Sequence, residues 1–281
     1  MNEHPSVPAD IPLGQHTEYL SVYTPSLLCP IPRAESRRGL SLQPDALPFG
    51  GVDLWTGYEL SWLDARGKPL VAIGEFTLPC DSEFLIESKS FKLYLNSLNQ
   101  TRFDSLEALK AVLVKDLSAA AGGAVAVQVS PLTHAALPHL AVAPMPAEHL
   151  DELEVDIVDY HPNADLLALD ASGAAVTESL YSDLLKTNCP VTGQPDWASV
   201  YIRYSGPQIE RESLLKYIVS FREHQDFHEH CVERMFTDIL ARCQPQALTV
   251  YARYTRRGGL DINPFRTNCG ELPTAMRLVR Q

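Results

Sequence analysis

Ile86-Glu87-Ser88-Lys89-Ser90-Phe91-Lys92-Leu93-Tyr94-Leu95-Asn96-Ser97 aligns with Ile209-Glu210-Arg211-Glu212-Ser213-Leu214-Leu215-Lys216-Tyr217-Ile218-Val219-Ser220, matching Ile, Glu, Ser, Tyr and Ser in register. Five matches in twelve carry little alone; the order of elements around them carries more. Ahead of the first copy, the β-rich runs Leu54–Leu63 and Leu70–Leu78 flank Asp64-Ala65-Arg66-Gly67-Lys68-Pro69, a hairpin-turn composition. After it, Leu106, Leu109, Val112 or Leu113, and Leu117 recur at helical spacing behind a cap at Asp104 or Ser105, and a strand over Ala124–Val129 follows Gly122-Gly123. The second copy has a strand before it over Val200–Tyr204, helices over Glu210–Arg222 and Phe227–Cys243, and a strand over Leu248–Tyr254. Strand, helix, helix, strand occurs twice, which reads as an ancient duplication. The Pro-, Ala- and His-rich stretch from Ser130 to His149 reads as the connection, with a boundary near Pro146 that divides residues 1–146 from 147–281. Residues 1–50 hold many prolines and no clear period, and read as an extended arm with little regular structure.

A chain of 281 residues with 45% hydrophobic content can bury a core in one large domain or in two modules. No apolar run approaches a membrane span, and Met1 to Pro12 lacks a secretory start, so the expectation is a cytoplasmic protein. The six cysteines are scattered without a Cys-x-x-Cys pair, the pattern of reduced thiols rather than of a disulfide framework or zinc ribbon. A formal charge of −12 opposes binding to nucleic acid, whereas a small anion needs only a local basic pocket.

The chemistry-bearing residues divide between the copies. Cys189 and Asp196 share a polar, turn-rich stretch, Cys189-Pro190-Val191-Thr192-Gly193-Gln194-Pro195-Asp196, suited to a thiolate attacking an electrophilic carbon while the acid handles the proton. The alternative for Cys189 is a buried small hydrophobe in a turn. Asp226-Phe227-His228-Glu229 fits a helix start with Asp226 as N-cap and Glu229 as its capping-box partner. Equally, His228 and Glu229 could face a pocket and bind a heterocycle, the Glu accepting from two adjacent N–H groups. His228, His230 and Cys231 offer metal-ligand types, but without a His-Glu-x-x-His pattern or a matching third ligand, and no metal is expected. Lys89, Ser90 and Lys92 at a helix start suit a phosphate, or else form a solvated basic face. Thr255-Arg256-Arg257-Gly258-Gly259-Leu260-Asp261 offers a second anion site, and the absence of Gly-x-Gly-x-x-Gly places any dinucleotide outside a Rossmann fold.

Together, Glu87-Ser88-Lys89-Ser90-Phe91-Lys92-Leu93-Tyr94, Cys189 to Asp196, Phe227-His228-Glu229 and Arg256-Arg257-Gly258-Gly259 resemble the QueF family, NADPH-dependent 7-cyano-7-deazaguanine reductases of queuosine biosynthesis. The resemblance covers essentially the whole chain, including Leu47-Pro48-Phe49 and Leu278-Val279-Arg280, and corresponds to the long, two-module form. It implies an α+β fold of two tandem tunnelling-fold (T-fold) modules related to GTP cyclohydrolase I, antiparallel sheets with helices on one face. It implies Cys189 as the nucleophile forming a thioimide, Asp196 as proton donor, and His228 and Glu229 holding the deazaguanine with Ile86, Glu87 and Ser88. Ser88, Lys89, Arg257 and Gly258, helped by Lys92, would contact NADPH, and the expected assembly is a homodimer. Because Lys89 and Lys92 face Glu212 and Leu215 in the other copy, each site should draw on both modules. Two other enzymes come near: a T-fold amidinotransferase acting on the same nitrile, with no use for the lysines and paired arginines, and a GTP cyclohydrolase-like hydrolase, whose zinc ligands are absent.

Overall fold

The computed structural model describes residues 19–132, 141–273 and 276–281. Residues 133–140 of the Ser130–His149 connection and the first eighteen residues of the N-terminal arm lie outside these. In chain order the described elements are β1 (Pro30–Pro32), α1 (Arg33–Arg38), β2 (Gly50–Leu63), β3 (Pro69–Pro79), β4 (Phe84–Ile86), α2 (Ser88–Ser97), α3 (Leu106–Ala121) and β5 (Ala126–Pro131). There follow β6 (Glu148–His149), β7 (Ala175–Asn188), β8 (Pro195–Pro207), α4 (Arg211–Ser220), α5 (His228–Cys243), β9 (Ala247–Tyr254) and β10 (Leu260–Thr267).

Eight strands join in one sheet of order β5-β3-β2-β10-β9-β8-β7-β6, antiparallel except where the two-residue β6 runs parallel to β7; β1 and β4 form a separate pair. The α+β expectation therefore holds, with both copies contributing to a continuous sheet. The joint is β10, whose Leu260 to Thr267 pair in register with Gly57 to Gly50 of β2. Two apolar cores form. One gathers Trp55, Phe76, Phe91, Leu109, Leu113 and Leu117 between β2, β3, α2 and α3; the other gathers Val200, Ile202, Leu214, Ile218, Phe236 and Val250 between β8, β9, α4 and α5.

Four of the five matched positions of the repeat are explained by hydrogen bonds. Glu87 and Glu210 each cap a helix, Glu87 accepting from Lys89 N and Ser90 N at 2.6 and 2.7 Å, and Glu210 from Ser213 N at 2.7 Å. The serine hydroxyls of Ser90 and Ser213 donate back to the capping residues' carbonyls at 2.6 and 2.7 Å. Tyr94 and Tyr217 donate to carboxylates of the following helix, Asp116 and Asp238, at 2.8 and 2.7 Å, and Ser97 and Ser220 donate to those tyrosines' carbonyls. Even the approaching chain repeats: Cys29 N donates to Ser90 Oγ at 3.0 Å and Ala168 N to Ser213 Oγ at 3.1 Å.

Several expectations need correction. The arm is not simply extended: it holds a 3-10 turn at Pro25–Leu27, β1 and the short helix α1. Buried Arg33 and Arg37 of α1 anchor it. Arg33 Nη2 pairs with Asp53 Oδ2 at 2.6 Å, Arg37 Nη2 with Glu233 Oε1 at 2.7 Å, and Arg266 bridges both carboxylates at 2.8 and 2.9 Å. The stretch after β4 forms two helices, Ser88–Ser97 and Leu106–Ala121, with Ser105 Oγ capping α3 by accepting from Ala108 N at 3.1 Å. β5 starts two residues later than Ala124, because α3 ends on left-handed Gly122 (φ 62°) and the chain must still pass Gly123. The hairpin is as expected, its turn held by Asp64 Oδ1 accepting from Arg66 N and Lys68 N, each at 2.9 Å.

Candidate active site

The turn-rich stretch around Cys189 is the tip of a long hairpin. β7 and β8 pair as far as Asn188 opposite Pro195, so Cys189 to Gln194 form the connection. Cys189 N donates to the Gln194 carbonyl at 2.9 Å, Gly193 N donates to the Cys189 carbonyl at 3.0 Å, and Gly193 takes φ of 66°, a left-handed turn position natural to glycine. This closed turn fixes the thiol at the sheet's end. Asp196, one residue into β8, sits opposite Thr187.

α5 brings the next pair. Asp226 does not cap it: the N-cap position is Phe227, with no side-chain cap, and Asp226 accepts from Phe227 N at 2.8 Å through Oδ1. Its Oδ2 lies against His230 Nδ1 and 3.4 Å from His224 Nε2. Burial pushes the Asp226 carboxyl up, but the two histidines more than offset this and hold it well below the ordinary range. Glu229 is correspondingly not a capping-box partner and lines a cleft instead. Nor do His228, His230 and Cys231 form a metal set, since His228 Nε2 faces Asp196, His230 engages Asp226 and Cys231 is wholly buried.

The cleft has a volume of about 580 Å³ counting its open mouth, and both copies line it. Ile86, Ser88 and Lys92 come from β4 and α2; Cys189 and Asp196 from the β7–β8 hairpin; His228 and Glu229 from α5; and Arg257 from the turn between β9 and β10. Gly258 adjoins it, since a Cβ placed there would lie 3.5 Å from Lys92 Cδ. Glu87 and Lys89 stand apart from the lining: Glu87 is buried beneath α2 as its cap, and the Lys89 amide donates to that cap. Burial raises the Glu87 carboxyl against the two amides.

Within the cleft, Asp196 is gripped from two sides. Arg257 Nε lies 2.8 Å from Oδ1 and His228 Nε2 3.3 Å from Oδ2, while Arg257 Nη1 donates to Gln194 Oε1 at 2.5 Å. The His228 ring is stacked on Tyr254. Lys92 is lowered first by burial and then by the Arg257 charge, so two cations share one wall. Glu229 is pushed up to about 7 by burial and by the Asp53 carboxylate behind it, with His228 and Arg33 opposing. A thiol, a buried carboxylate, an imidazole and an acceptor poised near neutrality, beside a cationic rim, can capture an electrophile, move protons and hold a phosphate-bearing co-substrate. Tyr254 had no motif to announce it, and Gln194 and Asp226, though inside quoted stretches, carried no expected part in the site; the fold brings them here.

The chain matches the family model described as "Nitrile reductase, 7-cyano-7-deazaguanine-reductase N-term" over residues 19–129 and that described as "QueF-like protein" over residues 195–272. It is 55% identical to the NADPH-dependent 7-cyano-7-deazaguanine reductase of Chromobacterium violaceum over 100% of both chains. The proteins of that name from Saccharophagus degradans and Bordetella pertussis are 54% and 56% identical, each over 97% of this chain and 100% and 99% of their own. A crystal structure of the archaeosine synthase QueF-Like in the apo form aligns with TM-score 0.31 and 18% identity, covering 34% of this chain and 95% of its own.

Proposed function

We propose that this chain, which belongs to the QueF family of 7-cyano-7-deazaguanine nitrile reductases, reduces the nitrile of 7-cyano-7-deazaguanine to the primary amine with NADPH as hydride donor, in queuosine biosynthesis. The observation that carries this reading is the two-sided cleft, in which Cys189 and Asp196 meet Lys92 and Arg257.

Nitrile to amine requires four electrons, hence two hydrides in succession, and a free half-reduced imine would hydrolyse. Capture on Cys189 makes the stable triple bond accept the first hydride, and the cleft holds the half-reduced carbon for the second. The thiol adds across the triple bond: Sγ bonds to carbon, the thiol proton passes through Asp196 to nitrogen, and a thioimide forms with no change of oxidation state. Hydride to that carbon and a proton to nitrogen give a tetrahedral adduct, which expels the Cys189 sulfur to leave an imine. The second hydride and proton give the amine. Between the two hydrides the buried cleft keeps water from the imine.

His228 and Glu229 grip the deazaguanine, the Glu229 carboxylate accepting from the lactam N–H and the exocyclic amine. Ile86 and Ser88 close the other side, with Glu87 contributing through the α2 cap that fixes Ser88. The wall of Lys92 and Arg257, with Ser88, Lys89 and Gly258, fits the phosphates of NADPH: burial and then the Arg257 charge lower Lys92, and a bound anion offsets that repulsion. NADPH supplies the hydrides when bound; the protein supplies capture, orientation and protons.

The same reading assigns T-fold modules to residues 1–146 and 147–281, and a cytoplasmic homodimer. No described helix is long and apolar enough to cross a membrane, all six cysteines are free, and β5 leaves one sheet edge for a partner copy to pair. A net charge of −12 supports a small-molecule substrate rather than nucleic acid. The reading is tested by incubating the protein with 7-cyano-7-deazaguanine and NADPH and identifying the product by mass. The aminomethyl product supports it, and an amidine or unchanged nitrile overturns it.

A further inference from the structure

Asp196 is asked to do two opposite things in the proposed reaction. It must be a carboxylate to take the proton of the Cys189 thiol, and a carboxylic acid to supply nitrogen with a proton when hydride arrives. The groups around it come from five elements: Lys92 from α2, Cys189 and Gln194 from the hairpin, His228 and Cys231 from α5, Tyr254 from the end of β9, and Arg257 from the following turn. Among them Arg257 is the one permanent cation in contact, its Nε 2.8 Å from Oδ1. The Asp196 side chain is 3% exposed, so water does not relieve that pairing. With the pair closed, Asp196 Oδ1 is held by the Arg257 guanidinium and Oδ2 faces His228.

Arg257 is also the member of the pair that can leave. Its side chain is 28% exposed, and its other contact is Oε1 of exposed Gln194 at 2.5 Å. The turn carrying it runs through left-handed Gly258 and Gly259, and its guanidinium shares a wall with Lys92, whose charge repels it. A phosphate arriving at that wall competes for the guanidinium with doubly charged oxygens and bidentate geometry.

We infer that Arg257 is a positioning residue that switches Asp196 between its two roles: the closed pair holds the carboxylate that receives the Cys189 proton, and a cofactor phosphate draws the guanidinium away so that Asp196 can carry a proton for reduction. This rests on the proposed nitrile capture at Cys189. Addition is thereby matched to the cofactor-free cleft, and proton delivery to the cofactor-bound one.

The test reads the rate of thioimide formation, without hydride donor, as a function of pH. In the wild type the rate should fall on a low-pH limb. Arg257→Gln removes the cation, and the low-pH limb should move up by about one to three pH units, the usual effect of an adjacent opposite charge; Arg257→Lys should restore most of the wild-type position. Saturating NADP⁺, which cannot donate hydride, should move the wild-type limb the same way and leave that of Arg257→Gln in place. A limb unmoved by both Arg257→Gln and NADP⁺ overturns the switch while leaving capture intact. No adduct in the wild type at any pH overturns the capture on which it rests.

Discussion

The imidazole of His228 lies flat on the ring of Tyr254, centroids 3.6 Å apart and planes 3° from parallel, which holds its Nε2 toward Asp196 at 3.3 Å. Tyr254 closes β9 and His228 opens α5, so the stack ties the cleft end of the sheet to the start of that helix. Aromatic pairs are worth about 0.5–1.5 kcal/mol beyond the area they bury. Tyr254→Phe should therefore keep affinity for 7-cyano-7-deazaguanine near that of the wild type, and Tyr254→Leu should weaken it roughly twofold to tenfold. Calorimetric titration of both variants checks this; equal affinities would remove the stack from the account.

Asp196→Asn keeps the shape of the side chain but neither takes nor gives a proton. Turnover should fall by roughly a hundredfold to ten-thousandfold while substrate binding persists. Near-normal turnover would move the proton-transfer role to His228.

Glu229 makes stability and binding depend on pH in opposite directions. Its carboxyl is pushed up to about 7 in the fold, chiefly by burial, whereas an unfolded glutamate titrates near about 4.3. The folded state thus holds the proton more tightly, so free-protein stability contributed by this group falls as pH rises from that lower value to about 7, and then levels. Glu229→Gln should flatten that slope in urea unfolding at pH 5 and 8. The same variant should bind the deazaguanine roughly tenfold to a hundredfold more weakly, since an amide cannot accept from both N–H groups. Lost stability with affinity intact would contradict the assignment.

Glu233 is the opposite case. Burial raises its carboxyl, but Arg266 and Arg37 outweigh this and hold it down to about 2. Its contribution is present above the ordinary glutamate range and lost as pH falls toward about 2. Glu233→Gln leaves buried Arg37 without its carboxylate and Arg266 with Asp53 alone, and should cost about 3–5 kcal/mol of stability. Thermal unfolding measures it, and an unchanged melting point would show the network to be dispensable.

Much of this architecture could be read in residue order, and the remainder fails for identifiable reasons. The β2–β3 hairpin and α3 show plain alternation and helical periods, and the repeat around Ile86 and Ile209 is visible because cap, back-bonding serine and tyrosine are all side-chain requirements. β7 gave no such signal. Its Thr177, Glu178 and Ser179 are polar, and satisfy themselves across the sheet on Ser205, Tyr204 and Tyr201, contacts that no local pattern encodes. β10 was hidden by Pro264 and by residues that look like an anion loop, yet every one of its residues is buried between β2 and β9. α1 was missed because Arg33 and Arg37 look like surface charges until Asp53 and Glu233 arrive from distant segments. In the cleft, the thiol, acid and His-Glu were named from local motifs, whereas the Arg257 grip on Asp196 depends on how far the β9–β10 turn reaches toward the hairpin.

Lys92→Ala removes one of two cations from the cofactor wall. It should raise the KM for NADPH and shrink the preference over NADH, while capture at Cys189, which precedes hydride transfer, stays intact. Full discrimination in the variant would separate Lys92 from the cofactor.

The central claim is that the nitrile is captured on Cys189 and reduced there, and intact-protein mass spectrometry without NADPH reads it most directly. The account predicts a mass gain equal to the whole of 7-cyano-7-deazaguanine, absent in Cys189→Ala, and discharged when NADPH is added as two equivalents are oxidised per amine released. A wild-type protein that stays unmodified and still turns the nitrile over would contradict it.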